Sequence, residues 1–304
     1  MKKKINNKLT LWGRILIFLC IFIFIYLFTK NIKNSKEGFE QSDNFVLKTN
    51  IDLYDKFYAD VYDYLVYNNL KDDYEIAKIV NKTNPSNGSS ILDVGCGTGH
   101  HTALLSQKGY NVIGIDNSKD MILRARQNYP NYNFEVGNVL NNDIFAPNKF
   151  THILCLYFTI YYIEDKDIFF KNVYNWLLPG GYFIIHLVDR ERFDPILPPG
   201  NPIMLISPQK YSDKRITNTY VKFTDFSYNA DFKLDKDNDI AIFTEKFKND
   251  MNGKVRKNEH NLYMPELDSI VYKIQELGFI NHGIIDLVEC QYEYQYLYIF
   301  TKPL

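Results

Sequence analysis

The sequence predicts an α/β fold with a seven-stranded, mostly parallel β-sheet, helices on both faces and an antiparallel β insertion after the fifth strand. The main observation is in residues 91–99, where a short apolar strand runs directly into three glycines at alternate positions. Further apolar strands alternate with segments of helical periodicity after this point, which is typical of a parallel sheet. Residues 190–264 break the alternation with prolines and an Asn-Gly hairpin signal at Asn252 and Gly253, which predicts the insertion.

Length and charge limit the functional classes. The 304 residues are enough for one large α/β core with additions. Lys+Arg 35 and Asp+Glu 36 give a formal net charge of -1, so no excess of positive charge is present to hold a phosphate backbone. Nucleic acid is therefore a disfavoured partner. The 4 cysteines show no C-x-x-C pair and no Cys/His zinc spacing, so neither a disulfide scaffold nor a metal site is predicted.

The N-terminus combines basic residues with an apolar run over residues 15–28. With one interrupting arginine, residues 9–29 approach the ~20 residues that cross a bilayer, so residues 1–30 are predicted as a transmembrane anchor and residues 31–50 as a linker. No small-x-small site follows the run, which favours an uncleaved anchor over a signal peptide. The predicted localisation is therefore a single-pass membrane protein. By the positive-inside rule the basic N-terminus would stay in the cytosol and the main domain would be lumenal. Because basic residues also follow the run, the rule is weak here, and the unpaired cysteines suit a reducing compartment. We therefore expect the main domain to face the cytosol, with a lumenal domain as the alternative.

The glycine turn at the end of the first strand of the sheet indicates a ligand site. Gly95, Gly97 and Gly99 allow the backbone to approach a ligand closely, and the free N–H groups of the following helix favour negative charge. A dinucleotide site has the spacing G-x-G-x-x-G. Here the spacing is G-x-G-x-G, with Asp93 two residues ahead and His100 where the third dinucleotide glycine would stand. A bound carboxylate or phosphate is expected at this turn, and the spacing argues against a dinucleotide.

The second strand of the sheet, residues 111–116, is apolar and ends in Asp116. This carboxylate falls ~20 residues beyond the glycines, where it can accept hydrogen bonds from both hydroxyls of a ribose. It can also cap the helix that opens at Ser118, and the two roles are compatible. Asn117 and Met121 would then border an adenosine, although a single Met is more often part of a core.

With the sequence LDVGCGTG at residues 92–99, the chain resembles the class I S-adenosylmethionine-dependent methyltransferases, and the resemblance covers about residues 54–188. It implies a Rossmann-like sheet, S-adenosyl-L-methionine as cofactor, and a cover of N-terminal helices, for which residues 54–70 and 72–80 have the periodicity. Asn138, which follows the third strand, departs from the family, where an acid often binds the adenine amino group; an amide oxygen can still accept that hydrogen bond. The cofactor-binding residues that the resemblance implies are Tyr54, Asp93, Gly95, Gly97, Asp116, Asn117, Met121, Asn138, Val139 and Leu156.

The fourth strand, residues 150–156, is followed by a tyrosine-rich loop at residues 157–163. The loop has no N-P-P-Y or D-P-P-Y, which disfavours amino-methylation of DNA bases or of glutamine. Methyl transfer from a sulfonium is an in-line displacement, so a dedicated base is optional. The candidate catalytic residues are Tyr157, Tyr161 and His186, with His100, His101 and Tyr162 as further polar groups near the carboxyl edge of the strands. His152, inside a strand, and His260, in the insertion, are not selected.

The insertion at residues 190–264 is predicted to contain strands at residues 217–226, 240–249 and 255–263. It resembles the lids of small-molecule and amino-sugar N-methyltransferases, and a surface hairpin without a role in binding is the alternative. The segments that complete the sheet are a fifth strand within residues 177–185, a helix at residues 265–278, and strands at residues 279–288 and 294–301.

The predicted function is S-adenosylmethionine-dependent methyl transfer to a small-molecule N or O nucleophile. A domain at residues 51–304 would carry it, with residues 190–264 as a β-rich substrate insertion. Two other classes stay open: a non-catalytic protein that binds the cofactor, because Asn138 and the tyrosine-rich loop depart from the family pattern, and a NAD-dependent oxidoreductase. The expected partners are a small-molecule substrate and, through the N-terminal helix, a membrane. The oligomeric state is left open.

Overall fold

The computed structural model describes residues 18–19, 21–22, 43–200, 209 and 212–304. The chain divides into two units, Met1–Phe39 and Glu40–Leu304, and each is described by itself. The described residues of the first unit are helical and exposed; they are Phe18, Leu19, Ile21 and Phe22. All elements named below belong to the second unit.

The second unit contains two β-sheets. In chain order the strands are β1 (Phe45–Thr49), β2 (Ser90–Val94), β3 (Asn111–Asp116), β4 (Asn133–Val136), β5 (Phe150–Cys155), β6 (Leu177–Val188), β7 (Asn218–Lys222), β8 (Phe226–Asp235), β9 (Ile240–Asn249), β10 (Val255–Tyr263), β11 (Ile280–Asp286) and β12 (Gln295–Thr301).

The larger sheet has seven strands in the order β11-β12-β6-β5-β2-β3-β4. Strands β2 to β6 pair in parallel, whereas β12 runs antiparallel to both of its neighbours, β6 and β11. Ile91, Leu92 and Val94 are buried because β2 lies between two neighbouring strands and is covered on both faces. The predicted mixed α/β, Rossmann-like sheet of seven strands is confirmed, with β2 in its interior and the last strand reversed.

A smaller sheet of five strands has the order β1-β10-β9-β8-β7. Strands β7 to β10 form an antiparallel meander, and β1 joins its edge in parallel to β10. The bounds of β9 and β10 coincide with the predicted strands at residues 240–249 and 255–263. Strand β1 falls inside the predicted linker, residues 31–50, because its backbone partner is far away in sequence and leaves no local pattern.

Seven α-helices connect these strands within the described residues. They are α1 (Lys56–Val66), α2 (Asn69–Thr83), α3 (His100–Gln107), α4 (Lys119–Asn128), α5 (Thr159–Tyr162), α6 (Lys166–Trp176) and α7 (Leu267–Glu276). The two helices predicted at residues 54–70 and 72–80 correspond to α1 and α2, but α2 begins earlier than predicted, because the side chain of Asn68 accepts from Lys71 N at 3.3 Å and starts the helix. Aspartates at the starts of α1 and α6 act in the same way, since Asp55 and Asp165 accept from the first turn of their helices.

The core of the larger sheet is rich in aromatic side chains. Phe150, Phe169, Phe170, Trp176 and Phe183 are all fully buried, in line with the high aromatic fraction of the sequence. The indole N–H of Trp176 donates to Asn142 O at 3.0 Å, so its polar atom is satisfied. Many of the aromatic side chains therefore pack in the core of the larger sheet.

The predicted single-pass membrane localisation is contradicted. Within the part of the chain that the structure describes, no helix has the length and apolar character needed to cross a bilayer. The predicted anchor at residues 1–30 lies outside the described residues, apart from residues 18–19 and 21–22. The uninterrupted apolar run at residues 15–28 is itself shorter than the ~20 residues that span a membrane, and the prediction reached that length by including residues 9–14, a segment that contains Thr10, Gly13 and Arg14.

Candidate functional site

The glycine turn after β2 is held by the neighbouring strand β3. The backbone N–H groups of Gly95 and Cys96 both donate to Ile115 O, at 2.8 and 3.0 Å. The N–H of Gly97 donates to Asp116 Oδ2 at 3.0 Å. The turn and the carboxylate at the end of β3 are therefore one hydrogen-bonded unit, and α3 begins directly after it at His100.

Two glycines of this turn have different reasons to lack a side chain. A Cβ added at Gly95 would lie 2.4 Å from Thr159 Cγ2, so the turn packs directly against the start of α5. A Cβ at Gly97 would lie 3.7 Å from both Met121 Cε and Tyr62 Cε1, at ordinary contact distance. Gly97 thus leaves open a space between Met121 and Tyr62 that a side chain would fill, and a ligand can approach the backbone there.

Asp116 has both carboxylate oxygens engaged by backbone amides. Oδ1 accepts from Ser118 N at 2.8 Å, and Oδ2 accepts from Gly97 N. Burial raises the pKa of Asp116 above its ordinary value, against the lowering effect of these N–H donors. Each oxygen retains acceptor capacity, so the carboxylate can still receive two hydroxyl groups of a ligand. The cap role and the ligand role that the sequence suggested are geometrically compatible.

One cavity of about 560 Å³ surrounds the turn. It is lined by every cofactor-binding residue that the resemblance implied: Tyr54, Asp93, Gly95, Gly97, Asp116, Asn117, Met121, Asn138, Val139 and Leu156. Asp93 is 2 % exposed and accepts from Thr102 Oγ1 at 2.7 Å, so its carboxylate also fixes the start of α3. The fold brings these positions together around one space, and their contacts with a cofactor stay a prediction.

The helix α1 is tied over the glycine turn through Asp63. Asp63 Oδ1 accepts from Thr98 Oγ1 at 2.6 Å and lies 3.1 Å from His100 Nε2. The imidazole of His100 stacks on Tyr67, with ring centroids 3.9 Å apart. The N-terminal helices thus close one side of the cavity, and His100 has a structural role in this closure.

The three candidate catalytic residues occupy different environments. Tyr157 lines the cavity and has φ of 52°, an uncommon backbone conformation for a side chain of this size. Tyr161 and His186 are buried and are not among the described residues that line the cavity. The hydroxyl of Tyr161 accepts from Val188 N at 2.8 Å, which ties α5 to the end of β6.

His186 holds the loop after β5 in place. Its Nδ1 contacts Tyr157 O, and its Nε2 lies 3.0 Å from Gln295 Oε1. Burial lowers the pKa of His186 to about 4, so the ring is neutral at pH 7 and carries one N–H. Since a neutral imidazole donates only once, Nδ1–H donates to Tyr157 O and the amide of Gln295 must turn its NH₂ toward Nε2. This pairing explains how Tyr157 keeps its unusual backbone angle.

A buried charge cluster forms another part of the cavity wall. Lys71 Nζ lies 2.8 Å from Glu75 Oε1, and His101 Nε2 lies 3.0 Å from Glu75 Oε2. Burial alone would raise the pKa of Glu75, but Lys71 and His101 lower it to about 2. Burial alone would lower the pKa of His101, but Asp72 and Glu75 raise it to about 9. His101 is therefore a cation at neutral pH.

The side chains of Asp72, Glu75 and His101 also have the donor atoms of a metal site, within 4.8 Å of one another. The sequence predicted no metal. Lys71 already supplies a positive charge to Glu75 at ion-pair distance, so the buried carboxylate is compensated without a metal ion.

A polar chain that sequence reasoning passed over runs from the cavity into the smaller sheet. Tyr162 Oη lies 2.8 Å from His260 Nδ1, and His260 Nε2 lies 2.7 Å from Glu245 Oε2. Tyr162 and His260 line the cavity, and Glu245 is fully buried behind them. The sequence contained a signal for this site, because inward and outward residues alternate along β9 and β10. This alternation puts the polar residues Glu245, Asn258 and His260 on the same buried faces as Phe243 and Leu262.

The family model and the relatives described below are all methyltransferases. Residues 91–181 match a family model described as a methyltransferase domain. The putative methyltransferase 235L of Invertebrate iridescent virus 6 is 32% identical over 126 residues, which are 41% of this chain and 43% of the viral protein. The dTDP-3-amino-3,4,6-trideoxy-alpha-D-glucopyranose N,N-dimethyltransferase of Streptomyces venezuelae is 29% identical over 141 residues, 44% of this chain and 58% of that protein.

A solved structure of an S-adenosylmethionine-dependent methyltransferase from Clostridium acetobutylicum has the same fold. Its TM-score is 0.61 at 19% sequence identity, over 81% of this chain and 98% of that one. The matches to the two curated relatives cover 43% and 58% of their lengths, less than two thirds of either. At the level of the domain, these findings support the predictions of an S-adenosylmethionine-dependent methyltransferase and of S-adenosyl-L-methionine as its cofactor.

Proposed function

We propose that this chain, whose residues 91–181 match a methyltransferase domain, transfers a methyl group from S-adenosyl-L-methionine to a small-molecule N or O nucleophile. The observation that carries the proposal is the single cavity around the glycine turn and Asp116. When bound, S-adenosylmethionine supplies an activated methyl group on a sulfonium. The space between Met121 and Tyr62 above Gly97 fits this role, because a ligand can meet the backbone there without collision.

The residues of the turn and of the strand ends would hold the cofactor. Asp116 would accept the ribose hydroxyls, and Gly95 and Gly97 would present the backbone to the methionine part. Met121 and Leu156 would border the adenine from its apolar faces, and Asn138 would accept from its amino group. Tyr54, Asn117 and Val139 line the same space. The proposed domain is residues 51–304, with residues 190–264 as its substrate insertion.

The smaller sheet supports a small acceptor enclosed by protein. Phe232, Phe243 and His260 on this sheet line the same cavity as the glycine turn. A volume of about 560 Å³ lies in the range of small-molecule sites and leaves no room for a folded macromolecule beside a cofactor. The N,N-dimethyltransferase among the relatives acts, by its name, on an amino sugar, which agrees with a small acceptor.

A paired substitution on β9 tests the role of the smaller sheet. Phe243 faces the cavity and is 9% exposed, whereas its neighbour Ile242 points to the other face and is 40% exposed. Phe243→Ala should raise the KM for the acceptor at least about tenfold and leave the Kd for S-adenosylmethionine within about twofold. Ile242→Ala should change neither. Equal effects of the two substitutions on acceptor KM would contradict a substrate-binding role for this sheet.

Titration calorimetry with S-adenosylmethionine and with NAD separates the proposal from its two alternatives. We expect S-adenosylmethionine to bind, NAD not to bind, and S-adenosylhomocysteine to form in the presence of an acceptor. Binding of S-adenosylmethionine without product from any acceptor would favour a non-catalytic protein. Binding of NAD alone would favour an oxidoreductase and end the proposal.

A further inference from the structure

Tyr162, His260 and Glu245 form a continuous hydrogen-bonded chain from the cavity wall to a fully buried carboxylate. Tyr162 is half-buried, His260 is 1% exposed and Glu245 is 0% exposed. A single helix and a two-stranded hairpin contribute the three residues, since Tyr162 ends α5, Glu245 lies on β9 and His260 on β10. Each of these three side chains therefore comes from a helix or a strand, which fixes the hydrogen-bonded series in place.

The buried carboxylate of Glu245 determines which ring nitrogen of His260 donates a hydrogen bond. Burial raises the pKa of Glu245, but the neighbouring His260 and the hydrogen bonds from His260, Tyr228 and Asn258 outweigh it and hold the pKa below its ordinary value. Glu245 is therefore ionised and accepts from His260 Nε2–H. In the neutral tautomer with the proton on Nε2, Nδ1 keeps its lone pair and can accept from the hydroxyl of Tyr162, 2.8 Å away. A proton can thus move from Tyr162 to His260 with its charge balanced by Glu245.

The cavity lining is suited to a cationic ligand. Among the described residues, its cationic side chains are Lys71, which is already paired with Glu75, and His101. Its carboxylates among the described residues are more numerous, even though Asp72 lies 3.5 Å from His101: Asp72, Asp93, Asp116, Glu164 and Asp194. The rings of Tyr54, Tyr58 and Tyr62 line the space as well and attract cations through their faces. An ammonium group is favoured over a carboxylate or phosphate beside Tyr162.

We propose that the acceptor is a small primary or secondary amine and that Tyr162, His260 and Glu245 form the relay that removes its proton. This inference rests on the proposed function. An alkylammonium has a pKa of about 10 and no free lone pair at pH 7, so it must lose a proton before it can attack a methyl carbon.

The proton balance follows from the observed contacts. The N–H bond of the ammonium breaks, its electron pair stays on nitrogen, and the proton passes to Tyr162 Oη. The proton of that hydroxyl moves to His260 Nδ1, and the imidazolium is held by Glu245. The freed lone pair forms the N–C bond while the C–S electron pair leaves with sulfur. The relay later releases its proton to solvent with the product.

The acceptor class is tested with matched amine and hydroxyl probes in the presence of S-adenosylmethionine. Suitable pairs are ethanolamine with ethylene glycol, glycine with glycolate, and glucosamine with glucose. We expect methylation of at least one amine and of none of the hydroxyl partners. Methylation of a hydroxyl compound only overturns the amine assignment and leaves the proposed function intact. Binding of S-adenosylmethionine without methylation of any probe would count against the proposed function as well, in favour of a non-catalytic protein. A protein that fails to bind S-adenosylmethionine would instead defeat the proposed function.

The relay is tested with Tyr162→Phe and His260→Gln, using the best amine probe. Each should lower kcat at pH 7 by at least about 100-fold, the lower end of general-base contributions, with the Kd for S-adenosylmethionine within about threefold. The rate of Tyr162→Phe should then rise about tenfold per pH unit toward pH 10, because bulk solvent supplies the deprotonated amine. The titratable groups facing His260 are Glu245 on β9, Tyr162 on α5, and Tyr54 and Tyr58 at the start of α1.

Tyr228→Phe is the matched control. Its hydroxyl also donates to Glu245, at 2.7 Å, but lies behind the cavity lining and outside the relay. It should lose stability with a smaller loss of kcat and keep the pH profile of the unmodified protein. A Tyr162→Phe profile parallel to that of the unmodified protein overturns the relay. Loss of S-adenosylmethionine binding in Tyr162→Phe but not in His260→Gln also overturns it, because Tyr162 would then be a cofactor contact.

Discussion

The backbone N–H of Gly97 donates to Oδ2 of Asp116 at 3.0 Å, across the gap between the ends of β2 and β3. Because Oδ1 of the same carboxylate accepts from Ser118 N, Asp116 is fixed between the glycine turn and the start of α4. A side chain held from both sides loses little conformational entropy when a ligand binds to it. Asp116 is thus prepared to bind a ligand and also stabilises the turn that would contact it.

Replacement of Asp116 by Ala should weaken the binding of S-adenosylmethionine at least about tenfold. The loss corresponds to one charge-assisted hydrogen bond of ~1.5–3 kcal/mol to the ribose. The measurement is the Kd from calorimetry. Asp237→Ala, an exposed aspartate of the β8–β9 hairpin, removes the same charge away from the cavity and should leave the Kd unchanged. Unchanged affinity in a folded Asp116→Ala protein would refute the assignment of Asp116 to the ribose.

Replacement of Gly95 by Ala should destabilise the fold more than replacement of Gly253 by Ala. Both glycines have positive φ, +67° and +70°, so both substitutions carry the same backbone strain of about 1–2 kcal/mol. A Cβ at Gly253 would meet nothing within 4 Å, whereas at Gly95 it would lie 2.4 Å from Thr159 Cγ2. Overpacking of this kind costs about 1–3 kcal/mol more. The difference is measured from denaturant unfolding.

The cause of this difference can be checked in a Thr159→Ala background, which removes both of the nearest atoms, Cγ2 and Oγ1. Gly95→Ala should then cost clearly less than in the unmodified protein, although Thr159 Cβ, 3.0 Å from the added Cβ, should keep the cost somewhat above that of Gly253→Ala. If the two glycine substitutions cost the same in the unmodified protein, the side chain of Thr159 must move away at little cost. The close packing of the turn on α5 would then not restrict position 95.

Stability should fall between about pH 7 and pH 8 because of His101. Its folded pKa of about 9 lies above the ordinary 6.5, so the folded state binds the proton more tightly. The stabilisation is complete below pH 6.5 and is lost as pH rises through 9, with a total on the order of 1–3 kcal/mol. Below about pH 7, His152 and His186 act in the opposite direction, because burial lowers both of their pKa values to about 4 and only their unfolded forms still bind protons there. The range ends at pH 8 because burial lowers the pKa of Lys166 to about 8. Above that pH the folded state has lost this proton while the unfolded state still binds it, so Lys166 makes the stability rise with pH.

The measurement is the unfolding midpoint in denaturant at several pH values. His101→Gln should be less stable at pH 7 and should lose the decrease in stability from pH 7 to pH 8. His282→Gln, at an exposed position on β11, should keep the original slope. A slope that persists in His101→Gln would assign the pH dependence to another group.

The larger sheet could be predicted from the sequence because its signals are local. Buried parallel strands are continuous apolar runs, and residues 91–94 and 111–116 lead into a glycine turn and an aspartate that can be identified without any long-range information. The positions that line the cavity followed from the resemblance, since they lie at the carboxyl ends of consecutive strands.

The polar contacts that complete the site could not be predicted in the same way, because they join distant parts of the chain. Tyr162 and His260 are 98 positions apart, and His186 and Gln295 are 109 apart. A neutral His186 turned out to support the backbone of Tyr157, whereas His260, which was set aside, lines the cavity. The membrane prediction failed for a different reason: the apolar run at residues 15–28 was extended across Arg14 to residue 9 to reach a spanning length.

Replacement of Arg256 by Met should weaken both the fold and the cofactor site. Arg256 is 4% exposed, and it donates from Nη1 to Asp55 Oδ2 at 2.9 Å, from Nη2 to Leu53 O at 3.0 Å and from Nε to Asn258 Oδ1 at 2.8 Å. It thereby holds the residues on both sides of Tyr54 against β10. Because Asp55 is partly exposed, we expect a loss of about 2–4 kcal/mol, toward the lower end for broken buried ion pairs.

The neighbouring Lys257→Met is the control, since Lys257 pairs with Glu259 at 2.8 Å on the exposed face of the same strand. A surface pair of this kind contributes less than about 1 kcal/mol. If Arg256 positions Tyr54, Arg256→Met should also raise the Kd for S-adenosylmethionine several-fold at a temperature where the variant is still folded, and Lys257→Met should not. A loss of stability without any change in Kd would mean that the smaller sheet supports the fold but does not position Tyr54 for the cofactor.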